Sequence, residues 1–237
     1  ASEETAKLIT KDISPMLVGN EFSDPAGFVS HAISKLGFRA LAAAGAVEVA
    51  LYDLWGKLEG CSVTEFFGGR KQVTVCCYGS AGMYQSAESY AHEAAAVCEL
   101  GFSAYKYRPA LGPAEDLRTV ELMHEAVGPE VGLCLDAHGW WRMGDKSYDA
   151  STIETLAHDI APFGITWLEE PLPLDDDSSY AKLRSQEIVP IAAGEHEHDL
   201  AGFERLVERG SVDIAQADVS HHGGFSGVSD ILKLCEG

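Results

Sequence analysis

Ionisable side chains stand at the end of one apolar segment after another in this sequence. The five segment ends are Lys106-Tyr107-Arg108, Asp136-Ala137-His138, Glu169-Glu170-Pro171, Gly194-Glu195-His196 and Gln216-Ala217-Asp218. Residues i and i+2 of a β-strand face the same side, so pairs with this spacing project together. Cationic side chains beside carboxylates can move protons and stabilise a negative charge that develops during a reaction. The arrangement is typical of an active site built from several strands.

Three of these segment ends carry carboxylates, namely Asp136, Glu169 or Glu170, and Glu195. Ionised carboxylates that face one pocket repel each other unless a cation neutralises them. Oxygen ligands favour Mg²⁺, and a metal with only three protein ligands keeps positions open for substrate. A single such acid is more simply explained as an exposed loop residue or a helix N-cap. One acid at the same edge of three consecutive strands instead predicts a magnesium site.

The elements that would position these residues follow from the spacing of apolar side chains. Residues Pro25–Gly69 have a helical, alanine-rich pattern, and after Gln72 short apolar runs alternate with amphipathic helical stretches. The predicted strands are Val73–Tyr78, Ala104–Arg108, Gly132–Asp136, Ile165–Glu169, Val189–Ala193 and Val212–Ala217. The predicted helices are Gln85–Leu100, Pro113–Val127, Ala150–Ala161, Ser178–Ser185 and Leu200–Glu208, with a sixth that begins near Ser226. Aspartate or proline at helix starts and glycine at helix ends support them.

Six strands that alternate with helices predict a parallel sheet and an α/β fold, because strands joined by a helix run in the same direction. Periodicity alone allows either a doubly wound sheet or a (β/α) barrel. A doubly wound sheet gathers its ligand residues at one switch point, whereas a barrel collects the ends of all its strands around one mouth. Ionisable groups on five successive strands therefore favour the barrel.

Composition excludes several classes of function. The 237 residues include 17 Lys and Arg against 37 Asp and Glu, a formal net charge of −20, which argues against nucleic-acid and membrane-surface partners. No apolar run reaches the roughly 18 residues that span a bilayer, and no secretory signal is visible. The six cysteines show no CxxC spacing, which indicates reduced thiols and a cytoplasmic chain.

These residues resemble the mandelate racemase subgroup of the enolase superfamily along essentially the whole chain. Residues 47–57, followed by 67–69, are similar to the helix and turn that link the capping domain of that family to its barrel. Lys106-x-Arg108 resembles the Lys-x-Lys motif of its second strand. The three metal-ligand motifs are matched by Asp136, Glu-Glu-Pro at 169–171 and Gly-Glu at 194–195, and the sixth-strand motif by Gln216-Ala217-Asp218 with Gly223-Gly224.

The resemblance implies an enolase-type barrel with six of its eight strands present, preceded by the helical part of an α+β capping domain. Residues 1–71 would form that helical part and a linker, and residues 72–237 the incomplete barrel of a longer parent chain. It also implies that Asp136, Glu169 and Glu195 bind Mg²⁺. The reaction would abstract the proton α to a carboxylate and give an enediolate, with Lys106 in contact with the substrate carboxylate.

Two departures from the subgroup narrow the expected reaction. Arg108 replaces a lysine that acts as a base in racemases, and an arginine keeps its proton in any protein environment, which argues against two-base racemisation. His138 stands where several acid-sugar dehydratases of the family protonate the leaving hydroxide, although a structural role is the alternative. The leading expectation is dehydration of an acid sugar to a 2-keto-3-deoxy acid, closest to the rhamnonate and galactonate types.

The remaining candidates carry roles that the resemblance suggests. Asp218 would orient a histidine base at the end of a seventh strand, which this sequence does not contain. His196 would line the substrate pocket, whereas Trp140 and Trp141 would either wall the substrate or pack the loop after the third strand. His221 and His222 are expected in a loop.

Two alternatives to dehydration remain open. A racemase, epimerase or cycloisomerase would keep the same fold and the same proton abstraction. A protein of another class, a non-catalytic barrel that still binds metal, would keep only the acids. The expected partners are a small carboxylate substrate and further copies of the chain, since family members form symmetric assemblies. The sequence does not specify which acid sugar is used.

Overall fold

The structure is a computed structural model that describes residues 3–22, 24–83 and 85–236. The chain divides into two compact units, which we call the first and the second unit. The first unit comprises Ala1–Thr74, Glu195–Arg205 and Gln216–Gly237, and the second comprises Val75–Gly194 and Leu206–Ala215.

The helices follow the sequence closely in the second half of the chain. The α-helices are α1 Glu3–Lys7, α2 Ser14–Leu17, α3 Pro25–Leu36, α4 Leu41–Glu59, α5 Ala87–Glu99, α6 Pro113–Val127, α7 Ala150–Ile160, α8 Asp177–Ser185, α9 Leu200–Glu208 and α10 Gly224–Glu236. A π-helical turn, Leu8–Ile13, joins α1 to α2. None of the helices in the described ranges is long and apolar enough to cross a membrane.

Helices α4 and α10 pack closely within the first unit. A Cβ atom on Gly45 of α4 would lie only 2.3 Å from the backbone nitrogen of Gly224, so this crossing requires glycine. The buried carboxylate of Glu48 accepts hydrogen bonds from Ser226, one from its backbone nitrogen at 3.1 Å and one from its hydroxyl. Because the free N–H groups of a helix start attract negative charge, Glu48 stabilises the first turn of α10.

The second unit contains a six-stranded parallel sheet whose strands lie in sequence order. The strands are β1 Gly79–Met83, β2 Ala104–Arg108, β3 Gly132–Asp136, β4 Ile165–Glu169, β5 Ile191–Ala193 and β6 Ile214–Ala215. The predicted bounds of β2, β3 and β4 are therefore confirmed, as are those of helices α6 and α9.

The side chains of β2 point alternately into the apolar core and toward the opposite face of the sheet. Tyr105 and Tyr107 are fully buried in the apolar core with Leu133 and Leu135 of β3. Lys106 and Arg108 alternate with these tyrosines and so project from the opposite face of the strand. Burial of several large apolar side chains, each worth about 1.5–3 kcal/mol, holds the strand that carries the two cations.

The first strand lies later in the chain than the sequence predicts. Val73–Tyr78 is not a strand in the structure, and the side chains of Val73 and Val75 are 88% and 76% exposed. Pairing with β2 begins at Gly79, opposite Tyr105. The β-branched residues raised the strand propensity of 73–78, but a strand exists only where the backbone finds a partner. The predicted strands Val189–Ala193 and Val212–Ala217 shorten to β5 and β6.

Candidate active site

The carboxyl ends of β2, β3 and β4 bring five predicted site residues into one charged cluster. Asp136 lies opposite Glu169 in the register of β3 and β4, and Lys106 of β2 lies opposite Cys134, two residues before Asp136. Parallel strands end at the same edge, so their last residues meet there. The cluster consists of Lys106, Arg108, Asp136, His138 and Glu169.

Lys106 is the buried cation between two carboxylates. Its Nζ atom lies 2.6 Å from Oε1 of Glu169 and 3.3 Å from Oδ2 of Asp136. Burial opposes the charge of this ammonium group, but the hydrogen bond to Glu169 and the nearby charge of Asp136 outweigh burial and raise the pKa of Lys106. The side chain therefore remains an ammonium ion and can hold negative charge in this position.

Asp136 is held ionised by its neighbours. Burial opposes ionisation of this carboxyl, but the hydrogen bond from His138 and the charges of Lys106 and Arg108 prevail and lower the pKa of Asp136. Nε of Arg108 lies 3.3 Å from Oδ2 of Asp136. That buried Oδ2 atom nevertheless accepts no hydrogen bond from any residue that the structure describes. This ionised oxygen is ion-paired with Lys106 and Arg108 but is not hydrogen-bonded to them, so it keeps the capacity to bind a metal ion.

His138 lies beside Asp136 at the rim of the cluster. Its Nδ1 atom lies 2.5 Å from Oδ1 of Asp136, and 22% of its side chain is exposed. The hydrogen bond to Asp136 outweighs the effect of burial and raises the pKa of His138. A histidine with a raised pKa carries its proton to higher pH, so this imidazolium group is able to act as a proton donor.

Glu169, rather than Glu170, faces the cluster. Oε2 of Glu169 accepts a hydrogen bond from Nε1 of Trp167 at 3.0 Å, while its other oxygen contacts Lys106. Glu170 has a left-handed backbone with φ of 44°, and its Oε1 accepts a bond from the nitrogen of Gly194 at 3.4 Å. The two acids therefore have different partners, and of the two only Glu169 contacts Lys106 among the described residues.

Trp167 is a site residue that the sequence analysis missed. Its indole fixes one oxygen of Glu169, and its ring packs edge-on against Tyr78 at 5.2 Å between centroids. Its spacing in the sequence could have identified it, because Trp167 lies two residues before Glu169 on the same strand and so faces the same side.

The carboxylates present fit a hard divalent cation. Ligand oxygens of Asp136 and Glu169 lie within 4.8 Å of each other, and both residues are buried. Glu195 follows β5 after Gly194, and Ala192 of β5 pairs with Glu169 of β4. Three residues of chain span at most about 11 Å, so covalent connection alone keeps the Cα atom of Glu195 near the carboxyl end of the sheet.

Asp218 and His196 lie in the first unit. Oδ1 of Asp218 accepts a hydrogen bond from the nitrogen of Ser220 at 2.6 Å, in the loop before α10. In the same loop, Nδ1 of His222 accepts a hydrogen bond from the backbone nitrogen of Asp218 at 2.9 Å. His196 lines a cavity of about 520 Å³ together with Glu195 and Arg39. The structure therefore gives Asp218 and His196 positions after β6 and β5 and leaves their roles as predictions.

The sequence analysis left open whether Trp140 walls the substrate or packs its own loop. Trp140 is fully buried, and its indole nitrogen donates to Oδ2 of Asp116 at 2.9 Å, so the packing alternative describes its position. The next residue, Trp141, is only half-buried and donates to the carbonyl oxygen of Glu170 at 2.9 Å. The guanidinium group of Arg142 lies 4.4 Å from the centre of its ring. Trp141 is thus the tryptophan nearer the open end of β4.

Two family profiles together match most of this chain. Residues 89–237 match the family profile described as Enolase C-terminal domain-like. Residues 1–68 match the profile of the Mandelate racemase / muconate lactonizing enzyme, N-terminal domain.

Two curated relatives are similar over most of this chain. It is 33% identical over 200 residues to D-galactarolactone cycloisomerase of Agrobacterium fabrum, a match that covers 82% of this chain and 51% of the relative. It is 34% identical over 205 residues to L-rhamnonate dehydratase of Saccharopolyspora erythraea, which covers 83% of this chain and 48% of that protein. The chain spans about half the length of these curated relatives.

Solved structures share the fold. The 3,6-anhydro-D-galactonate cycloisomerase of Zobellia galactanivorans matches with a TM-score of 0.85 and 29% identity over 100% of this chain and 66% of that one. A mandelate racemase/muconate lactonizing protein of Paracoccus denitrificans, complexed with magnesium, matches with a TM-score of 0.88 and 23% identity over 98% and 64%. At that identity the second match supports the fold alone. The predicted enolase-type fold is confirmed, and the chain belongs to the mandelate racemase subgroup of the enolase superfamily.

Proposed function

We propose that this protein takes part in the Mg²⁺-dependent removal of a proton α to a carboxylate, most specifically in the dehydration of an acid sugar to a 2-keto-3-deoxy acid. One observation carries the proposal: Lys106, Asp136, His138 and Glu169 form a single charged cluster at adjacent strand ends. The similarity to a relative named L-rhamnonate dehydratase supports the choice of reaction.

Asp136, Glu169 and Glu195 are the residues we propose to hold the cation. When bound, Mg²⁺ supplies positive charge where the substrate carboxylate gains electron density. The support is the ionised and buried Oδ2 of Asp136, which accepts no hydrogen bond from the described residues, and its closeness to the carboxylate of Glu169. The place of Glu195 in this set is an inference from its position after β5.

The two cations of β2 bind and orient the substrate. Lys106 is a buried ammonium group, so it can pair with the substrate carboxylate and stabilise the enediolate charge. The guanidinium group of Arg108 lies 3.3 Å from Asp136, so it orients charged groups, and an arginine is too poor a base to remove the α-proton. This assignment distinguishes the proposed reaction from two-base racemisation.

His138 donates the proton that the leaving group requires. The α-proton passes to a base, its electron pair forms the carbon–carbon double bond, and the β carbon–oxygen bond breaks. The departing hydroxyl takes the proton of His138 and leaves as water, and the resulting enol then tautomerises to the 2-keto acid. Asp218 is proposed, on the family resemblance, to orient a histidine base.

A cycloisomerase is the second candidate, and the similarity to D-galactarolactone cycloisomerase favours it. Proton abstraction would be the same, but the β-oxygen that departs would belong to a ring, so no water would be released. A non-catalytic metal-binding protein is the remaining alternative.

We further propose that the reaction takes place in the cytoplasm, because all six cysteines are free thiols.

Incubation of the purified protein with Mg²⁺ and a panel of aldonic acids, aldaric acids and their lactones tests the proposal. Mass spectrometry separates the candidates, because dehydration removes one water from the substrate and cycloisomerisation leaves its mass unchanged. In deuterated water, exchange of the α-proton without either product would indicate a racemase or an epimerase. Magnesium binding without exchange or product would contradict the enzymatic proposal and favour the metal-binding alternative.

A further inference from the structure

We propose that Asp116 is a positioning residue that fixes the loop following Arg108 and the loop carrying His138. The inference rests on the proposed function, because it concerns the proton donor of that reaction. Asp116 lies in the first turn of α6, is not a member of the charged cluster, and is 1% exposed. A buried carboxylate outside the reacting groups needs a physical explanation, because its burial costs free energy.

One buried carboxylate joins two loops through four hydrogen bonds. Oδ1 of Asp116 accepts from the backbone nitrogens of Ala110 at 3.1 Å and Leu111 at 2.8 Å. Oδ2 accepts from Nε1 of Trp140 at 2.9 Å and from the hydroxyl of Tyr148 at 2.8 Å. Every partner donates, so the site requires two acceptor oxygens, and only a carboxylate of this size supplies both.

The first pair of bonds holds the loop after β2. Ala110 has a φ of 152°, a conformation that an L-residue rarely adopts, so this loop keeps its path only if its surroundings hold it. Arg108 lies two residues earlier, and its carbonyl oxygen accepts a hydrogen bond from the hydroxyl of Tyr90 at 2.7 Å. Asp116 and Tyr90 together therefore define where β2 ends and where Arg108 stands.

The second pair of bonds holds the turn that contains His138. The nitrogen of Trp140 donates to the carbonyl oxygen of Ala137 at 2.8 Å, which closes a tight turn around His138. The nitrogen of Tyr148 donates to the carbonyl oxygen of Trp140 at 2.8 Å, so both partners of Asp116 belong to one hydrogen-bonded loop. Anchoring Trp140 thus anchors the backbone on which the His138 side chain depends.

Asp116→Asn is the variant that tests this role, since it keeps the shape and replaces one acceptor by a donor. If His138 loses its position, proton donation to the leaving hydroxyl falls, whereas exchange of the α-proton does not need His138. We therefore expect the ratio of dehydration to α-proton exchange in deuterated water to fall about 10- to 100-fold. A merely structural loss would reduce both rates by the same factor and leave the ratio unchanged.

Asp149→Asn is the matched control. Asp149 is an exposed aspartate at the end of the same loop, and its Oδ1 accepts a bond from the nitrogen of Thr152 at 2.8 Å. Asparagine caps a helix as well as aspartate, so this variant removes one charge and should keep the ratio of the parent protein. In the double variant Asp116→Asn/His138→Ala, we expect the ratio of His138→Ala alone, since both changes remove the same proton donation.

A second readout does not depend on activity. Hydrogen exchange should show the amides of Ala110, Leu111 and Trp140 opening about 10-fold faster in Asp116→Asn, with α10 unchanged. Nuclear magnetic resonance should show altered ring signals for His138. If the parent protein neither exchanges the α-proton of any substrate nor dehydrates it, the proposed function fails. The amide exchange rates and the His138 ring signals still test the positioning role in that case. Unchanged exchange and an unchanged His138 signal, or an unchanged ratio of rates, would overturn the inference.

Discussion

The Nδ1 atom of His138 lies 2.5 Å from Oδ1 of Asp136, so the proposed proton donor is hydrogen-bonded to a proposed metal ligand. Both residues come from one stretch of three residues at the end of β3, where the alternation of the strand continues into the loop. The contact orients the imidazole and favours its charged form, while the second oxygen of Asp136 keeps its capacity to bind a cation. Acid catalysis and metal binding thus share one carboxylate.

Lys106→Met should destabilise the protein in the absence of divalent cations. Loss of a buried partner leaves Asp136 and Glu169 to repel each other, and breaking such a pair costs roughly 3–5 kcal/mol. Added Mg²⁺ should raise the Tm of this variant more than that of the parent, because the cation replaces the lost charge. Lys57→Met, which removes an exposed pair with Asp53, should shift Tm little. Equal responses to Mg²⁺ in parent and Lys106→Met would contradict this explanation.

Trp167→Phe should weaken magnesium binding without removing a ligand. The ring that packs against Tyr78 remains, but the hydrogen bond to Oε2 of Glu169 is lost. Removal of such a supporting bond lowers metal affinity by about 10- to 100-fold. Trp55→Phe is the control, because Trp55 stacks on Phe66 in the first unit and the change keeps an aromatic ring there. Calorimetric titration that gives the same Kd for parent and Trp167→Phe would refute the prediction.

Gly45→Ala should destabilise the first unit. Its methyl group would lie 2.3 Å from the nitrogen of Gly224, so α4 and α10 would have to separate, at about 1–3 kcal/mol or more. Gly27→Ala in α3 provides the contrast, because its Cβ would meet the Asp24 carboxylate at an ordinary 3.6 Å. Urea unfolding should show a lower midpoint for Gly45→Ala only. A parent-like midpoint would show that the helices have room to adjust.

The stability contributed by Asp116 should fall as pH rises. Burial raises the pKa of Asp116 above its ordinary value, against the hydrogen bonds from Leu111 and Tyr148, so the native state holds this proton to a higher pH than the unfolded chain. The free energy of unfolding therefore decreases with pH between the ordinary pKa of aspartate, about 3.9, and the raised native value. Unfolding of the parent and of Asp116→Asn across this window measures the difference, which should shrink as pH rises. A difference that grows with pH would reverse the sign and reject the assignment.

Much of the second unit could be predicted from the sequence, because β2, β3 and β4 each end in a polar residue after an apolar run. The wrong prediction of the first strand has a specific cause. Its glycines lack strand propensity, yet Gly79 and Gly82 are needed because the side chains of Val97 and Tyr105 lie where a Cβ would stand. Packing against residues later in the chain set these positions, and propensity does not report such contacts.

The candidate site likewise contains residues whose positions could be predicted and residues whose positions could not. The i and i+2 spacing was sufficient to place Lys106, Asp136 and His138 on one face of neighbouring strands. Trp140 was open to two readings, and its burial could not be predicted because its partner, Asp116, lies 24 residues earlier. Positions that follow from residue spacing within a single strand could therefore be predicted from the sequence. Positions that depend on a contact with a residue far away in the sequence could not.

Magnesium titration of Glu195→Gln tests the central claim most directly, because it probes the ligand whose role rests only on its place after β5. Isothermal titration calorimetry should show one Mg²⁺ site in the parent protein and at least about 10-fold weaker binding in the variant. Glu204→Gln, an exposed glutamate of α9, should bind as the parent does. Equal affinity in the parent and in Glu195→Gln would contradict the account.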